Sequence, residues 1–299
     1  MILFRGTSLT LDGRPVLDGA SCEIPAGHAA AVVGRTGAGK SSLLAAAAAA
    51  LTLDGGDVIV CGHSVRREPT AVRRIIGYLP ARPPAWPPCR VGEFLELAAT
   101  AAGLVGKPLR TALSKALDLA GLARRAADPI DTLPDASGRR LLLARALLHD
   151  PQVLLLDDPF AGLDPAERAA VEELVGDAHL MGRTVLAAID DGSVPPCFTH
   201  LVMLAEGRVV AAGPADISTF APGRSFTFRL TCRGRADDAV HALRPFAADA
   251  RALDLDHAEA TIDPALVPGS RLVAAAVGAG IPVEAAGFHP AWTAQLLGP

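Results

Sequence analysis

Apolar positions along the chain fall into two rhythms. Ala29 to Val33 and Val153 to Leu156 are apolar at every position, a pattern that predicts short strands buried on both faces of a parallel sheet. Ile75 to Leu79 and Arg183 to Ile189 read as further strands. Residues 2–33 read as short β segments, with turns at Asp12-Gly13 and Pro25-Ala26-Gly27. Asp54-Gly55-Gly56 predicts another turn and Val58-Ile59-Val60 another strand. Between these runs the spacing becomes helical: an Ala- and Leu-rich stretch from Leu43, then Val91 to Gly103, Leu109 to Ala120, Gly138 to Leu148, and Pro165 to Met181. The last of these is expected to be capped by Asp164, with Pro165 in its first turn. Leu201 to Ala205 and Arg208 to Ala212 predict a hairpin across Glu206-Gly207.

Around Pro222-Gly223 the character changes. The order that follows is strand (Phe226 to Thr231), helix (Ala236 to Pro245), strands (Ala252 to Leu255 and Ala258 to Ile262), helix (Gly269 to Ala279), strand (Pro282 to Ala286) and a short terminal helix. That is the split βαβ, ferredoxin-like order. The expected organisation is an α/β domain over residues 1–220 with a mostly parallel sheet, a helical subdomain over about 82–150, and a small α+β accessory domain over 225–299.

Composition narrows the chemistry. Half of the 299 residues are hydrophobic but only 4% are aromatic, so the core must be aliphatic. A net charge of -4 gives no basic face for nucleic acid. Lysine occurs only at 40, 107 and 115, which makes Lys40 informative in an arginine-rich chain. The five cysteines are scattered without metal-ligand spacing and read as free thiols of a reducing compartment. The start predicts no signal peptide, and no run of 18 apolar residues predicts a membrane span. The proline-dense stretch Pro80 to Pro88 excludes helix and central strand. Its Trp86 either packs back on the body or serves as a docking surface.

One loop carries the strongest chemical signal. Gly34-Arg35-Thr36-Gly37-Ala38-Gly39-Lys40-Ser41 has the phosphate-loop spacing and lies between an apolar strand and a helix. Its glycines let backbone N–H groups turn toward phosphate oxygens at a helix N-terminus. Lys40 is positioned for the outer phosphates of ATP and Ser41 for Mg²⁺. The run Val153 to Leu156 ends in Asp157 and Asp158, two carboxylates at the end of the strand where α/β sheets place ligands.

With the Gly162-Leu163-Asp164-Pro165 turn that follows, residues 1–215 resemble the ATP-binding subunit of an ABC transporter, a P-loop NTPase fold. The tail resembles the accessory domain that some exporter ATPases of this family carry. The resemblance makes Gly34 to Ser41, with Ser42, the Walker A nucleotide site and Leu154 to Asp157 the Walker B strand. It makes Ser41 and Asp157 the Mg²⁺ ligands, Lys40 and Asp158 the catalytic groups, and Gly162 to Pro165 the D-loop facing a second subunit. Arg90 to Leu95 match the segment near the coupling helices of a transmembrane permease subunit, which favours the docking reading of Trp86.

The sequence also departs from the family. Ala81 stands where the family has a Gln, Asp158 where it has a water-polarising Glu, and Asp190 where a His contacts the γ-phosphate. The aromatic that stacks on adenine falls near Leu11. Counted without gaps, the signature falls on Leu133-Pro134-Asp135-Ala136-Ser137; a gapped alignment uses Ser137-Gly138. The Asp158 carboxylate sits about 1.5 Å short of a glutamate's, and misplacement of about 1 Å can slow a reaction about 10²-fold. The expected protein binds Mg·ATP and hydrolyses it slowly. It would lie on the cytoplasmic, inner face of the membrane and energise export through a permease subunit, dimerised with a second, more complete ATP-binding subunit in preference to itself. The competing reading is a nucleotide-gated regulatory module deficient in hydrolysis.

Overall fold

A computed structural model describes residues 1–81, 86–189, 194–195, 197–215, 226–247, 249–262, 269–283 and 285–288. A β-hairpin opens the chain. Strands β1 (Ile2–Leu11) and β2 (Arg14–Ile24) pair antiparallel across Asp12-Gly13, whose positive φ angles of 49° and 74° suit a two-residue turn. Strand β3 (Ala29–Val33), buried throughout, delivers the glycine loop to helix α1 (Lys40–Ala47). Strand β4 (Gly55–Val60) pairs with β1 and with β5 (His63–Ser64). Gly55-Gly56, expected in a turn, thus opens a strand. Helix α2 (Pro69–Ile75) was not foreseen because seven residues are too few to show a helical period; its first-position proline was the available signal. It runs directly into β6 (Ile76–Leu79).

Three helices follow: α3 (Val91–Ala101), α4 (Gly106–Leu119) and α5 (Asp135–Leu147). Val91, Leu95, Leu122, Ile130, Leu141 and Leu148 fill a core of their own. Then come β7 (Val153–Asp157), α6 (Pro165–Leu180), β8 (Thr184–Ala188), β9 (His200–Ala205) and β10 (Arg208–Pro214). Asp164 caps α6 as expected, accepting from the Glu167 N–H at 2.8 Å while Glu167 accepts from the Asp164 N–H.

Two sheets result, ordered β2-β1-β4-β5 and β10-β9-β3-β8-β7-β6. The pairs β9–β3, β3–β8, β8–β7 and β7–β6 are all parallel, so these strands end on one side of the sheet. Strands β3, β7 and β8 are buried at every position. Alanines around Leu43 and Leu44 make α1 slim enough to share one core with both sheets, from Phe4 and Leu17 to Leu155 and Leu186.

The chain divides into two compact units, the first Met1–Asp190 with Pro195–Ala212 and the second the remainder. In the second unit, β11 (Phe226–Thr231), α7 (Ala236–Leu243), β12 (Asp249–Ala252), β13 (His257–Ile262), α8 (Gly269–Gly278) and β14 (Ala285–Phe288) form an antiparallel sheet ordered β12-β13-β11-β14. This is the ferredoxin-like arrangement. Its third-last strand was expected at Ala252 to Leu255 but ends at Ala252. Asp254 accepts from the N–H groups of Asp256 and His257, folding that stretch into a turn and leaving Leu255 exposed. The last strand pairs from Ala285, not from Pro282. The expected terminal helix lies outside the described residues.

Candidate nucleotide site

The glycine loop leaves β3 at the end of the sheet where β6 and β7 also finish. Two of its glycines are required by close approach. A Cβ on Gly34 would lie 2.3 Å from the Leu204 carbonyl oxygen, and one on Gly39, at φ +101°, 2.5 Å from that of Val16. Arg35, Thr36 and Gly37 form an exposed rim and Ala38 is buried beneath it. Lys40, 5% exposed, folds back over the loop and donates to the carbonyls of Gly34 (2.6 Å) and Arg35 (3.0 Å). Ser41 is exposed in the first turn of α1, with Ser42 half-buried beside it.

Across the sheet, the Ser41 hydroxyl donates to Asp157 Oδ1 at 3.0 Å. Asp157 is itself buried at the end of β7. A serine oxygen beside a buried carboxylate suits Mg²⁺, a hard cation that takes few protein oxygens and completes its shell with phosphates and water. Among the described residues no cluster of three or more His, Cys, Asp or Glu is gathered to hold a metal unaided. The site therefore fits Mg²⁺ bound together with a triphosphate, and Mg²⁺ so bound would neutralise charge on the phosphates.

Asp158 follows, half-buried, in a left-handed backbone conformation with φ 49°. Its N–H donates to the Ala188 carbonyl at 3.0 Å, which fastens it to the neighbouring strand β8. Ala81, half-buried, follows β6 and offers only a methyl group where the family has a Gln. Asp190 lies outside the described residues. Leu11, at the tip of β1, is 38% exposed.

One residue that the sequence reading did not single out lies among these groups. Arg139 of α5 donates from Nη1 to the Ala81 carbonyl (2.8 Å) and from Nη2 to the carbonyls of Asp157 (2.7 Å) and Asp158. Burial pulls its guanidinium below the ordinary range, while Asp158 and Asp157 push it back up. The basic character of this helix was legible, but nothing in an arginine-rich sequence marked Arg139 within it.

The start of α5 bears on the signature. The helix begins at Asp135; Pro134 and Asp135 are exposed, while Ser137 and Gly138 are buried one turn in. A Cβ on Gly138 would meet Trp86 at 3.1 Å, and the Trp86 ring stands edge-on to Phe94 with centroids 5.7 Å apart. The indole is thus half-buried on the helical block, one face packed on its own subunit.

A buried strand leading through a glycine loop to a lysine, with a carboxylate facing the next serine from a parallel neighbour, defines a P-loop nucleoside triphosphatase. A family model described as ABC transporter matches residues 17–161. A Nod factor export ATP-binding protein I of Burkholderia thailandensis is 31% identical over 211 residues, 70% of this chain and 69% of the relative. A phosphate import ATP-binding protein of Natronomonas pharaonis is 30% identical, over 71% of this chain and 79% of its own. A solved ATP-binding subunit of an ABC transporter superposes with a TM-score of 0.67 at 25% identity, covering 73% of this chain and 91% of that one. The chain belongs to the family of ABC transporter ATP-binding subunits, and is an ABC-type ATPase. Subunits of this family bind nucleotide, form dimeric cassettes and pair with transmembrane components. Among the described residues no helix is long and apolar enough to cross a membrane.

Proposed function

We propose that this subunit binds Mg·ATP tightly, hydrolyses it slowly, and drives export through a separate permease from the inner face of the membrane. The observation that carries the reading is an asymmetry within one site. The binding half (Gly34 to Ser42, with Asp157) has every group that phosphates and Mg²⁺ need, and its serine and carboxylate already meet at 3.0 Å. The half that orients water has a short carboxylate at Asp158 and a methyl group at Ala81. Lys40 holds the outer phosphates and Asp158 orients the attacking water, taking its proton as the bond to the γ-phosphorus forms and that phosphorus's bond to the β–γ bridging oxygen breaks, with ADP as the leaving group.

The helix start at Asp135 supports a heterodimer. In a cassette dimer this end of α5 would face the partner's nucleotide, and a carboxylate there opposes a phosphate where N–H groups alone would attract one. Two copies of this chain would place that obstacle at both sites. With a second ATP-binding subunit whose motifs are complete, each site would carry one subunit's defect instead of both. Residues 225–299 serve as an accessory domain to this engine.

The test is phosphate release by the full chain beside a Lys40→Ala control, together with co-purification from its source. Release above the control, with a second ATP-binding subunit recovered in the complex, supports the reading. Release equal to the control with nucleotide still bound favours the regulatory module. Rapid turnover by a homodimer overturns the asymmetric reading.

A further inference from the structure

Three side chains, two on α5 and one just past its end, stitch this segment to β6 along its length. His149 Nε2 bonds the Ile76 carbonyl (2.9 Å), Arg145 donates to that of Tyr78 (2.8 Å), and Arg139 to that of Ala81 just beyond the strand. Arg139 differs from the other two because its second nitrogen crosses to β7 and takes the carbonyls of both Asp157 and Asp158. One guanidinium therefore joins the helical block, the position of the absent Gln and the carboxylate pair. Among the described residues its Nε is buried with no hydrogen-bond partner, and its hydrogen bonds lie at these carbonyls.

We propose that Arg139 is the positioning residue that aims the Asp158 carboxylate. Asp158 occupies a left-handed conformation that an L-residue keeps only where its surroundings fix it. Bonds on both sides hold it here: its N–H donates to Ala188 on β8, and its carbonyl accepts from the Ala161 N–H at 3.2 Å and from Arg139. Together they set the backbone on either side of the Asp158 Cα, and hence the direction of its side chain. The Arg139 bond is the one that arrives from the helical block. A movement of α5 is thereby passed to Asp158 through backbone, a route that bypasses the missing glutamine side chain at Ala81. Lysine at 139 would supply charge but not a fork that reaches three carbonyls.

The inference rests on the reading of Asp158 as the group that orients water, and the experiment separates the two. Single-turnover phosphate release is measured on the full chain for Arg139→Gln, Arg139→Lys, Arg145→Gln, Asp158→Asn and the Arg139→Gln/Asp158→Asn pair, with a fluorescent ATP analogue reporting Kd. Arg139→Gln is expected to slow release by about 10- to 100-fold, with Kd within about twofold of wild type. Arg139→Lys is expected to fall between, and Arg145→Gln, which removes a comparable stitch away from Asp158, to keep the wild-type rate. In the Asp158→Asn background Arg139→Gln should slow release no further, because its effect passes through that carboxylate. A wild-type rate in Arg139→Gln, or an equal loss in both backgrounds, overturns the proposal. If Arg139→Gln does not fold, Arg139→Lys decides: a rate equal to that of Arg145→Gln overturns it. A wild-type rate in Asp158→Asn would instead overturn the reading of Asp158 itself, and this proposal with it.

Discussion

The Ser41 hydroxyl donates to Asp157 Oδ1 across 3.0 Å, joining the first turn of α1 to the last residue of β7. The two oxygens come from segments far apart in the chain, brought together because β3 and β7 flank β8 in one parallel sheet. On the proposed function, this pair and the loop ahead of it form a binding half that is separable from the half that handles water.

Removing the hydroxyl therefore has a specific signature. Ser41→Ala is expected to weaken Mg·ATP binding by about tenfold, in the range of one hydrogen bond to a charged group. Chelating Mg²⁺ should weaken the wild type by a similar factor and Ser41→Ala by little more, because both changes remove the same link. Titration of a fluorescent ATP analogue with and without chelator reads this directly. Equal chelator sensitivity in the two proteins would remove Ser41 from the Mg²⁺ site.

Trp86 reports on the position of α5. Gly138→Ala adds a methyl group 3.1 Å from the indole, a contact that must be relieved by moving the ring or the helix. The same change gains about 1 kcal/mol of helix propensity, so the melting temperature should move by only a few degrees. The emission of Trp86 should shift to the red as the ring leaves its seat. Measured in a Trp292→Phe background, which silences the other tryptophan, an unchanged spectrum would mean that Trp86 does not sit on Gly138.

The outline of the fold was legible because its strands are short, continuous and apolar, and because turn chemistry marks the hairpin at Asp12-Gly13. Legibility failed where local hydrogen bonding decides. Asp254 folds residues that look strand-like into a turn, and Pro69 opens a helix too short to show a period. Within the site, the loop and Asp157 announce themselves by spacing, since phosphate binding dictates both the glycines and the lysine. Arg139 carries no such mark. It acts through backbone carbonyls, which are the same at every residue type, so its partners leave no trace in the sequence. Trp86 was legible only in part, because its proline-rich surroundings speak of surface while its contacts with Gly138 and Phe94 are tertiary.

A group of three histidines on the first unit makes its stability depend on pH. His200, at the start of β9, stands edge-on to His28 with ring centroids 4.5 Å apart, and His28 lies 5.8 Å from His179 at the end of α6. The Thr199 hydroxyl bonds Nδ1 of both His28 (3.3 Å) and His200 (3.1 Å). Burial, and then the charge of His28 and His179, hold His200 below its ordinary value of 6.5. A histidine with a lowered folded value binds its proton more readily in the unfolded chain, so stability rises with pH across that window. The melting temperature should be highest above pH 6.5 and fall as the pH drops below it. His200→Gln should flatten that fall in a thermal-shift series from neutral to mildly acidic buffer, and an unchanged slope would exclude the cluster as its source.

Lengthening one side chain tests whether Asp158 limits the rate. Its carboxylate hangs from a backbone fixed on both sides, at its N–H by Ala188 on β8 and at its carbonyl by Ala161 and by Arg139 on α5, so the side chain has little freedom to reach further by moving its Cα. Asp158→Glu adds the missing methylene, about 1.5 Å of reach, without disturbing these bonds, since residue 158 makes each of them with a backbone atom. Phosphate release should rise by about 10- to 100-fold, with Kd for the nucleotide unchanged because the loop and Asp157 are untouched. Ala81→Gln should add to that gain: Arg139 binds the carbonyl at 81, so the new side chain leaves that bond available. Single-turnover release from the two single variants and their combination provides the comparison. No gain in Asp158→Glu, or a gain matched by tighter nucleotide binding, would show that the shortened carboxylate is not what holds the rate down.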